Sequence, residues 1–380
     1  MFAVFDNYFM TVLLVILHAE RARGGAEAYT LQLFIALRAA GEDVRIAAAS
    51  FDDTIPAEAR VPLAHAGLTR SRRYRSFLDA LDRHLSQTNY DVVHAMLPVR
   101  KCDVYHPHAG VADRMAGGRA KRLLNPRPGV FAAVERELIH DHAPVILSLS
   151  SYIDAELSAA YPGQTLKIKR LMNAVDLERF DVQSSRRTGA SPVIHSRENT
   201  GEAPVPHTIQ ALIVAQDFNR KGVPELLEVI RPLDVRLTVV GQCDLKSWRA
   251  RAARLGVGER VKFVGLQKDV RPFYHAADVF VLPTRHDPCS LVVLEALACG
   301  VPVITTKQNG AADLMTPGVH GIILDRQLPT FVNDLTAAVQ IMSDEKTRAA
   351  MAAACRELRP TLSYQHHLDR LRTIYHSLAD

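Results

Sequence analysis

Cysteine is scarce and shows no pairing pattern. The chain of 380 residues has five, Cys102, Cys243, Cys289, Cys299 and Cys355, with no CxxC and no metal-spaced histidine beside them. That excludes a disulfide framework and a zinc module, and the thiols read as reduced, as in a cytosolic protein. Long hydrophobic runs are missing as well. The apolar stretch Phe9 to Leu17 is about nine residues where a membrane span needs roughly twenty, and Asp6 precedes it instead of a basic segment. It predicts a buried parallel strand, Val12 to Leu17, not a signal peptide or anchor. Met10 is an alternative start, which makes residues 1–9 a loose extension. A large charge of one sign is absent too: 46 Lys+Arg against 41 Asp+Glu leaves +5. Such a surplus favours acidic ligands without demanding nucleic acid, and no nucleic-acid-binding module is visible. No GxGxxG with a well-placed acidic residue occurs, which argues against a nicotinamide oxidoreductase.

What is present is a repeated strand, turn and helix grammar over a length that suits two domains. After the first strand come Arg23, Gly24, Gly25, Ala26 and Glu27, then an amphipathic stretch to Ala40 that stops at Gly41. This is the opening unit of a doubly wound sheet. Further strands are expected at Val44 to Ala49, Val92 to Ala95, Val104 to His106 and Val145 to Leu149, with helices at Phe77 to Gln87 and Pro128 to His140. A second series runs through Ile209 to Val214, Val235 to Val240, Val261 to Val264, Val279 to Leu282, Val303 to Thr305 and Gly321 to Leu324. Two α/β sheets in tandem fit this count better than one very wide sheet. The expected division is 1–168, then 169–362, then a last helix in 363–380 that crosses back to the first domain. Residues 183–206, rich in Ser, Arg, Thr, Gly and Pro, cannot bury enough surface to order themselves and read as a flexible insertion.

Four segments carry chemistry. Asp287 to Pro302, DPCSLVVLEALACGVP, follows a strand, and Ser290 is placed to cap a helix that ends at Gly300. Cys289, Ser290 and Leu291 then stand at a helix start, whose free N–H groups suit a diphosphate. Glu295 is about a turn inside, and Asp287 lies in the loop before. Each carboxylate alone is also readable as a turn cap or a solvated helix residue. Val214 to Gly222, VAQDFNRKG, puts Arg220 and Lys221 where a strand gives way to a helix, suited to an anionic leaving group, although a surface Arg-Lys pair is commonly solvated. The pair Gly24 and Gly25 reads as a turn or as a close approach of backbone to ligand. Asp103 to Gly110, DVYHPHAG, carries His106 and His108, but no third ligand supports a metal site.

Together these segments resemble the GT-B fold retaining glycosyltransferases of family 4, also called glycosyltransferase group 1, over most of the chain. In motifs the chain is nearest to the lipopolysaccharide core glucosyltransferases. The resemblance implies two Rossmann-like α/β domains facing a central cleft, the first binding acceptor and the second a nucleotide-diphosphate sugar. A carboxylate, seven residues and a Glu make the family's acidic motif, so Glu295 is expected on the ribose and Asp287 on the donor sugar. Asp replaces the usual Glu at 287, which bears on sugar identity. FxRKG resembles the diphosphate-binding segment, with Lys221 the principal contact; Ala215 stands where many members carry Arg, and Arg220 takes over some of that charge. RGGAE matches the first glycine loop, and Gly241 and Gly265 to Val270 match loops that hold the base. His108 is expected against the donor sugar near the reacting carbon, with His106 and Asp103 as alternatives. Asn173, Val175, Asp176 and Phe180 resemble the junction before the second domain, with Ala174 in place of Gly. No Asp-x-Asp occurs, so the metal signature of the other common glycosyltransferase fold is absent.

The resemblance implies no cofactor and no metal, with the nucleotide sugar, most simply a UDP-sugar, as co-substrate. The acceptor is expected to be a glycan or lipid-linked glycan of lipopolysaccharide or cell-envelope synthesis. Alternatives are a sugar-nucleotide epimerase, an inverting transferase and a non-catalytic binding relative. Positive charge collects at Arg70, Arg72, Arg73, Arg75, Arg100, Lys101, Arg119, Lys121, Arg122 and Arg127, with Tyr74 and Phe77 among them. That region reads as a solvated face, or as a contact for anionic lipid or a phosphorylated acceptor, which places the protein in the cytoplasm or peripherally on the inner membrane.

Overall fold

Thirteen strands among the described residues lie in two fully parallel sheets. The structure is a computed structural model that describes residues 10–115, 126–182 and 208–379. The extension 1–9, the insertion 183–206 and the basic residues Arg119, Lys121 and Arg122 lie outside the described residues, as does the side chain of Arg127. The chain divides into two compact units, Met1–Asn173 with Tyr364–Asp380, and Ala174–Ser363.

Unit 1 has strands β1 (Thr11–Val15), β2 (Asp43–Ala48), β3 (Arg60–Pro62), β4 (Val92–Ala95), β5 (Val104–Tyr105), β6 (Val145–Ser148) and β7 (Lys167–Arg170). Their order in the sheet is β3-β2-β1-β4-β5-β6-β7. Its helices are α1 (Gly25–Ala39), α2 (Arg70–Leu85), α3 (Ala112–Met115), α4 (Pro126–Glu137) and α5 (Ser151–Ala160). β1 is central because both of its faces can be covered: Val12, Leu13, Leu14 and Val15 are wholly buried. β3 and β7 were not expected from the sequence. They are edge strands, and KIKR of β7 is mostly exposed, so neither carries an apolar run. β7 pairs with β6 through Arg170, so a division at 168/169 would cut a paired strand, and the units instead part at Asn173. α2 begins seven residues before the expected Phe77, because Thr69 caps it by accepting from Arg72 N at 3.2 Å and the basic first turns have no apolar pattern to announce them.

Unit 2 has β8 (Ile209–Val214), β9 (Val235–Val240), β10 (Val261–Gly265), β11 (Val279–Leu282), β12 (Val303–Thr306) and β13 (Gly321–Leu324), in the order β10-β9-β8-β11-β12-β13. Its helices are α6 (Phe218–Lys221), α7 (Val223–Val229), α8 (Leu245–Arg254), α9 (Arg271–His275), α10 (Leu291–Ala298), α11 (Phe331–Ile341) and α12 (Glu345–Leu358). Asn173 to Phe180 form a capped turn at the junction: Asp176 Oδ1 accepts from Arg179 N at 3.0 Å, and Phe180 is buried.

In each sheet the strand order reverses beside the first strand, between β1 and β4 and between β8 and β11. Ligands of open α/β sheets bind at the carboxyl ends of the strands at such a point. The last helix, α13 (Tyr364–Ala379), belongs to unit 1, where Leu368, Leu371 and Tyr375 join a core with Val12, Leu14, Tyr29 and Leu37. Arg372 also pairs with buried Glu42 at 2.9 Å, and Glu42 accepts from Met10 N at 2.9 Å. Leu371 is fully buried. Leu371→Ala is therefore expected to lower stability by about 2–5 kcal/mol, seen as an earlier urea midpoint with an unchanged slope.

Candidate functional site

In unit 2 the loop after β8 and the loop after β11 meet at the switch point. Asp217 caps α6, its Oδ1 accepting from Arg220 N at 3.0 Å, and this turns Arg220 and Lys221 to the carboxyl edge. Gly222 then takes φ +87 against the next loop, where a Cβ would lie 2.4 Å from Pro283 O. Only glycine permits both the left-handed turn and that approach. Lys221 Nζ is thereby brought onto Asp287 Oδ2, with the two side chains 12% and 10% exposed. The pair is partly desolvated, so each charge depends on the other. Arg220 donates from Nη1 to His286 O at 2.8 Å and lies 3.6 Å from Asp217.

Asp287 is itself held through its backbone: its N donates to Gln308 O and its O accepts from Gly310 N, each at 2.9 Å. The loop after β11 is thus pinned to the loop after β12. Asn309, wholly buried, does the pinning, accepting with Oδ1 from Ser290 N and Ala311 N at 3.2 Å and donating to Thr305 Oγ1 at 2.9 Å. Ser290 does stand at the N-cap of α10, but its hydroxyl makes no cap bond. The expected side-chain cap is replaced by the Asn309 bond to its backbone, while Cys289 is buried and Leu291 begins the helix. One turn in, Glu295 Oε2 accepts from Tyr274 OH at 2.8 Å. Burial pushes the Glu295 carboxyl up to about 7, against the lowering effect of that hydroxyl and of Arg179. At the neighbouring strand ends Gly241 (φ +146) lies so close to Ala215 O that a Cβ would stand 1.6 Å away, and Gly241 N donates to Gly265 O at 2.9 Å. Asn309 and Tyr274 carried no sequence signal, since neither stands in a motif.

In unit 1 Gly24 is the N-cap of α1 and Gly25 its first residue; Gly24 has extended backbone, so no left-handed turn requires it. Asp103 accepts from Val93 N at 2.8 Å, ahead of β5, whereas His106 and His108 follow the other end of that strand. The structure therefore separates Asp103 from the histidines. A buried cluster surrounds the histidines instead. His106 is 0% exposed with neither ring nitrogen bonded among the described residues. Its ring centroid is 4.0 Å from His108 and 5.4 Å from His94. Tyr29 lies 4.3 Å from the His108 ring and joins His367 Nε2 at 2.7 Å. His367 Nδ1 faces Met172 O at 2.8 Å; a carbonyl only accepts, so Nδ1 carries the proton and Tyr29 OH donates to Nε2. His94 Nδ1 meets Tyr375 OH at 2.6 Å. His94, Tyr29 and His367 were not singled out in the sequence, because they stand in three separate elements. Glu135, also missed, anchors the loop after His108, accepting from Tyr105, Tyr161 and the backbone N of Ala112 and Asp113.

Desolvation holds His108 down to about 3 and His367 down to about 4, and His94 and His106 fall well below the ordinary range. All four imidazoles are neutral at pH 7. No group of three or more His, Cys, Asp or Glu among the described residues is placed to hold a metal ion. An imidazole with a folded value below its unfolded value of about 6.5 binds fewer protons folded than unfolded, so its contribution is full above that pH and lost on acidification. Urea stability is expected to fall between pH 6.5 and 4 at up to about 1.4 kcal/mol per pH unit for each imidazole, and His106→Phe should make that slope shallower.

Comparison with known proteins accounts for both units. The family described as Glycosyltransferase Family 4 matches residues 23–179, and that described as Glycosyl transferases group 1 matches residues 209–344. The GDP-mannose-dependent alpha-(1-6)-phosphatidylinositol monomannoside mannosyltransferase of Mycolicibacterium smegmatis is 31% identical over 231 residues, 57% of this chain and 58% of that protein. The lipopolysaccharide glucosyltransferase WaaG of Escherichia coli K12 is 34% identical over 119 residues, 30% of this chain and 32% of that one. The matches thus span less than two thirds of these curated relatives. Among solved structures, WaaG superposes with TM-score 0.75 at 22% identity, covering 92% of this chain and 95% of that one. Anabaena Alr3699/HepE in complex with UDP and glucose superposes at 0.70 and 16%, covering 97% and 100%. With the two family segments covering most of both units and 92% of the chain superposing on that fold, the chain belongs to the group 1, family 4 glycosyltransferases of GT-B fold.

Proposed function

We propose that this protein is a retaining glycosyltransferase that moves a hexose from a nucleotide-diphosphate sugar to a glycan or lipid-linked acceptor in lipopolysaccharide or cell-envelope synthesis. The observation that carries the reading is the Lys221–Asp287 pair at the switch point of the unit 2 sheet, in the loops just before α10, with Glu295 one turn inside that helix. In this reading Glu295 accepts two ribose hydroxyls, and Asp287 accepts hydroxyls of the sugar with an oxygen not given to Lys221. The diphosphate lies against the start of α10, where the Ser290 hydroxyl makes no cap bond and Asn309 already holds the Ser290 N. As the glycosidic bond breaks, negative charge grows on the diphosphate and the Lys221 ammonium offsets it, with Arg220 behind. Gly24 and Gly25 let backbone approach the phosphates, Gly241 borders the base, and His108 contacts the sugar near the reacting carbon as a neutral hydrogen-bonding group. The two cations take the role that a metal plays where an Asp-x-Asp holds one, so the reaction is metal-independent.

The acceptor hydroxyl attacks from the face the diphosphate leaves, and the anomeric configuration is kept. A UDP-sugar is the donor we favour. GDP-mannose is a second reading, supported by the mannosyltransferase relatives. No helix among the described residues is long and apolar enough to cross a membrane. Separately, we assign the protein to the cytoplasm, with the basic start of α2, Arg70, Arg72, Arg73 and Arg75, as the surface for any peripheral contact with the inner membrane.

Lys221→Met is expected to lower kcat/KM about 10²–10³-fold in a UDP- or GDP-release assay, with little change in fold by circular dichroism. Glu295→Ala should abolish donor-induced thermal stabilisation, and full donor turnover in that variant would overturn the reading. Glu295 titrates near 7, and its ionised form is the better hydroxyl acceptor. Donor affinity should therefore be about tenfold weaker at pH 6 than at pH 8, measured by titration calorimetry. Proton NMR of the product's anomeric centre tests retention against inversion.

A further inference from the structure

Of the basic run Arg70, Arg72, Arg73 and Arg75, only Arg70 and Arg73 line a cavity of about 220 Å³ in unit 1. They stand three apart on α2, so their side chains share one face. The cavity continues to His18, just past β1, and to His65, which lies edge-on to His18 with ring centroids 5.5 Å apart. Its apolar wall is Tyr74 stacked on Phe131 at 4.1 Å and 12°, with Tyr74 fastened by its hydroxyl to Pro98 O. No carboxylate lines it among the described residues. Arg73 Nε is buried and has no hydrogen-bond partner, and neither Arg70 nor Arg73 has a carboxylate within ion-pair distance among the described residues. A buried guanidinium N–H left without an acceptor is costly, so an arginine kept in that state is placed for an acceptor that comes from outside.

We propose that this cavity is an acceptor subsite that takes a phosphate group carried on a sugar or polyol ring. Two guanidinium forks match phosphate oxygens, the α2 amino end adds partial positive charge, and the partly exposed Phe131, backed by buried Tyr74, offers an apolar wall to the ring that bears the phosphate. The volume is below the roughly 300–1,000 Å³ of sites that enclose a whole ligand, so it holds one phosphorylated end of a longer acceptor. The larger cavity in unit 2, about 430 Å³, has no such role: it lies at the amino ends of β9 and β10, and the Arg260 guanidinium on its wall is taken by the carbonyls of Ile230, Leu233 and Arg231.

The proposal rests on the glycosyltransferase reading for the word acceptor, but its test uses no donor. Titration calorimetry of the full chain with glucose 6-phosphate and glucose, and vesicle flotation with phosphatidylinositol against phosphatidylcholine, distinguish a soluble phosphosugar from a lipid headgroup. Glucose 6-phosphate over glucose, or anionic phosphatidylinositol with its ring-borne phosphate over zwitterionic phosphatidylcholine, or both, should show at least tenfold tighter binding. Arg73→Gln should weaken that binding about tenfold or more. Arg70 is exposed, so Arg70→Gln keeps the test readable if the partly buried Arg73 variant is unstable. Both variants should retain the wild-type thermal response to nucleotide sugars. The proposal is overturned if neither glucose 6-phosphate nor phosphatidylinositol is preferred over its partner, or if both variants bind the preferred probe as wild type does. A wild-type chain that ignores every nucleotide sugar would sink the donor reading and leave this one standing.

Discussion

A parallel sheet sends the carboxyl end of every strand to one edge, and right-handed crossovers return the chain to the opposite edge each time. Every chemically distinctive loop of this protein follows from that constraint. In unit 2 the loops after β8, β9, β11 and β12 all emerge where Lys221, Gly241, Asp287 and Asn309 stand. In unit 1 the loops after β1 and β5 carry His18, and His106 with His108, at the corresponding edge. Reversal of strand order beside β1 and β8 opens the space there, because neighbouring crossovers leave on opposite faces.

Once the loops share an edge, close backbone approach and buried polar pairing decide their shape. Gly222 and Gly241 let one loop touch the next where any Cβ would collide with a carbonyl. Asn309 ties the loop after β11 to the end of β12 and to its own loop by filling both ends of its amide, and Lys221 reaches Asp287 where the loop after β8 packs against the first of these. Such a cation–carboxylate pair is weak evidence of stability, since well-packed apolar groups do as well. Its value lies in holding two charges at an edge where a diphosphate and a sugar would meet.

Unit 1 solves a different problem. Four imidazoles are kept neutral by burial, and two tyrosines give His367 and His94 their partners. Two of those residues, His367 and Tyr375, arrive on α13, which follows the whole of unit 2 in sequence. The last helix therefore does more than cover β1 and α1. It supplies polar groups beneath the loop that carries His108, so the C-terminal segment and the histidine loop are parts of one packed body.

The strand series, the two-sheet division and the motif loops were legible from local pattern, because a doubly buried strand needs a Val/Ile/Leu run and a strand-to-helix turn needs glycine or a capping residue. Lys221, Asp287 and Glu295 stood out through the FxRKG segment and the acidic spacing. The edge strands β3 and β7 escaped notice because an edge needs no apolar run, and the first turns of α2 because a basic helix face has no hydrophobic period. Asp103 stood out in its motif, yet it ties β4 to β5 away from the histidines, since it precedes the strand that they follow. Local pattern set the order of elements and the residue types at each turn. The tertiary structure alone decided which of those residues meet: Lys221 with Asp287, Ser290 with Asn309, Tyr29 with His367. Those contacts join residues from 19 to 338 positions apart, and only sheet pairing and packing bring such distances to zero.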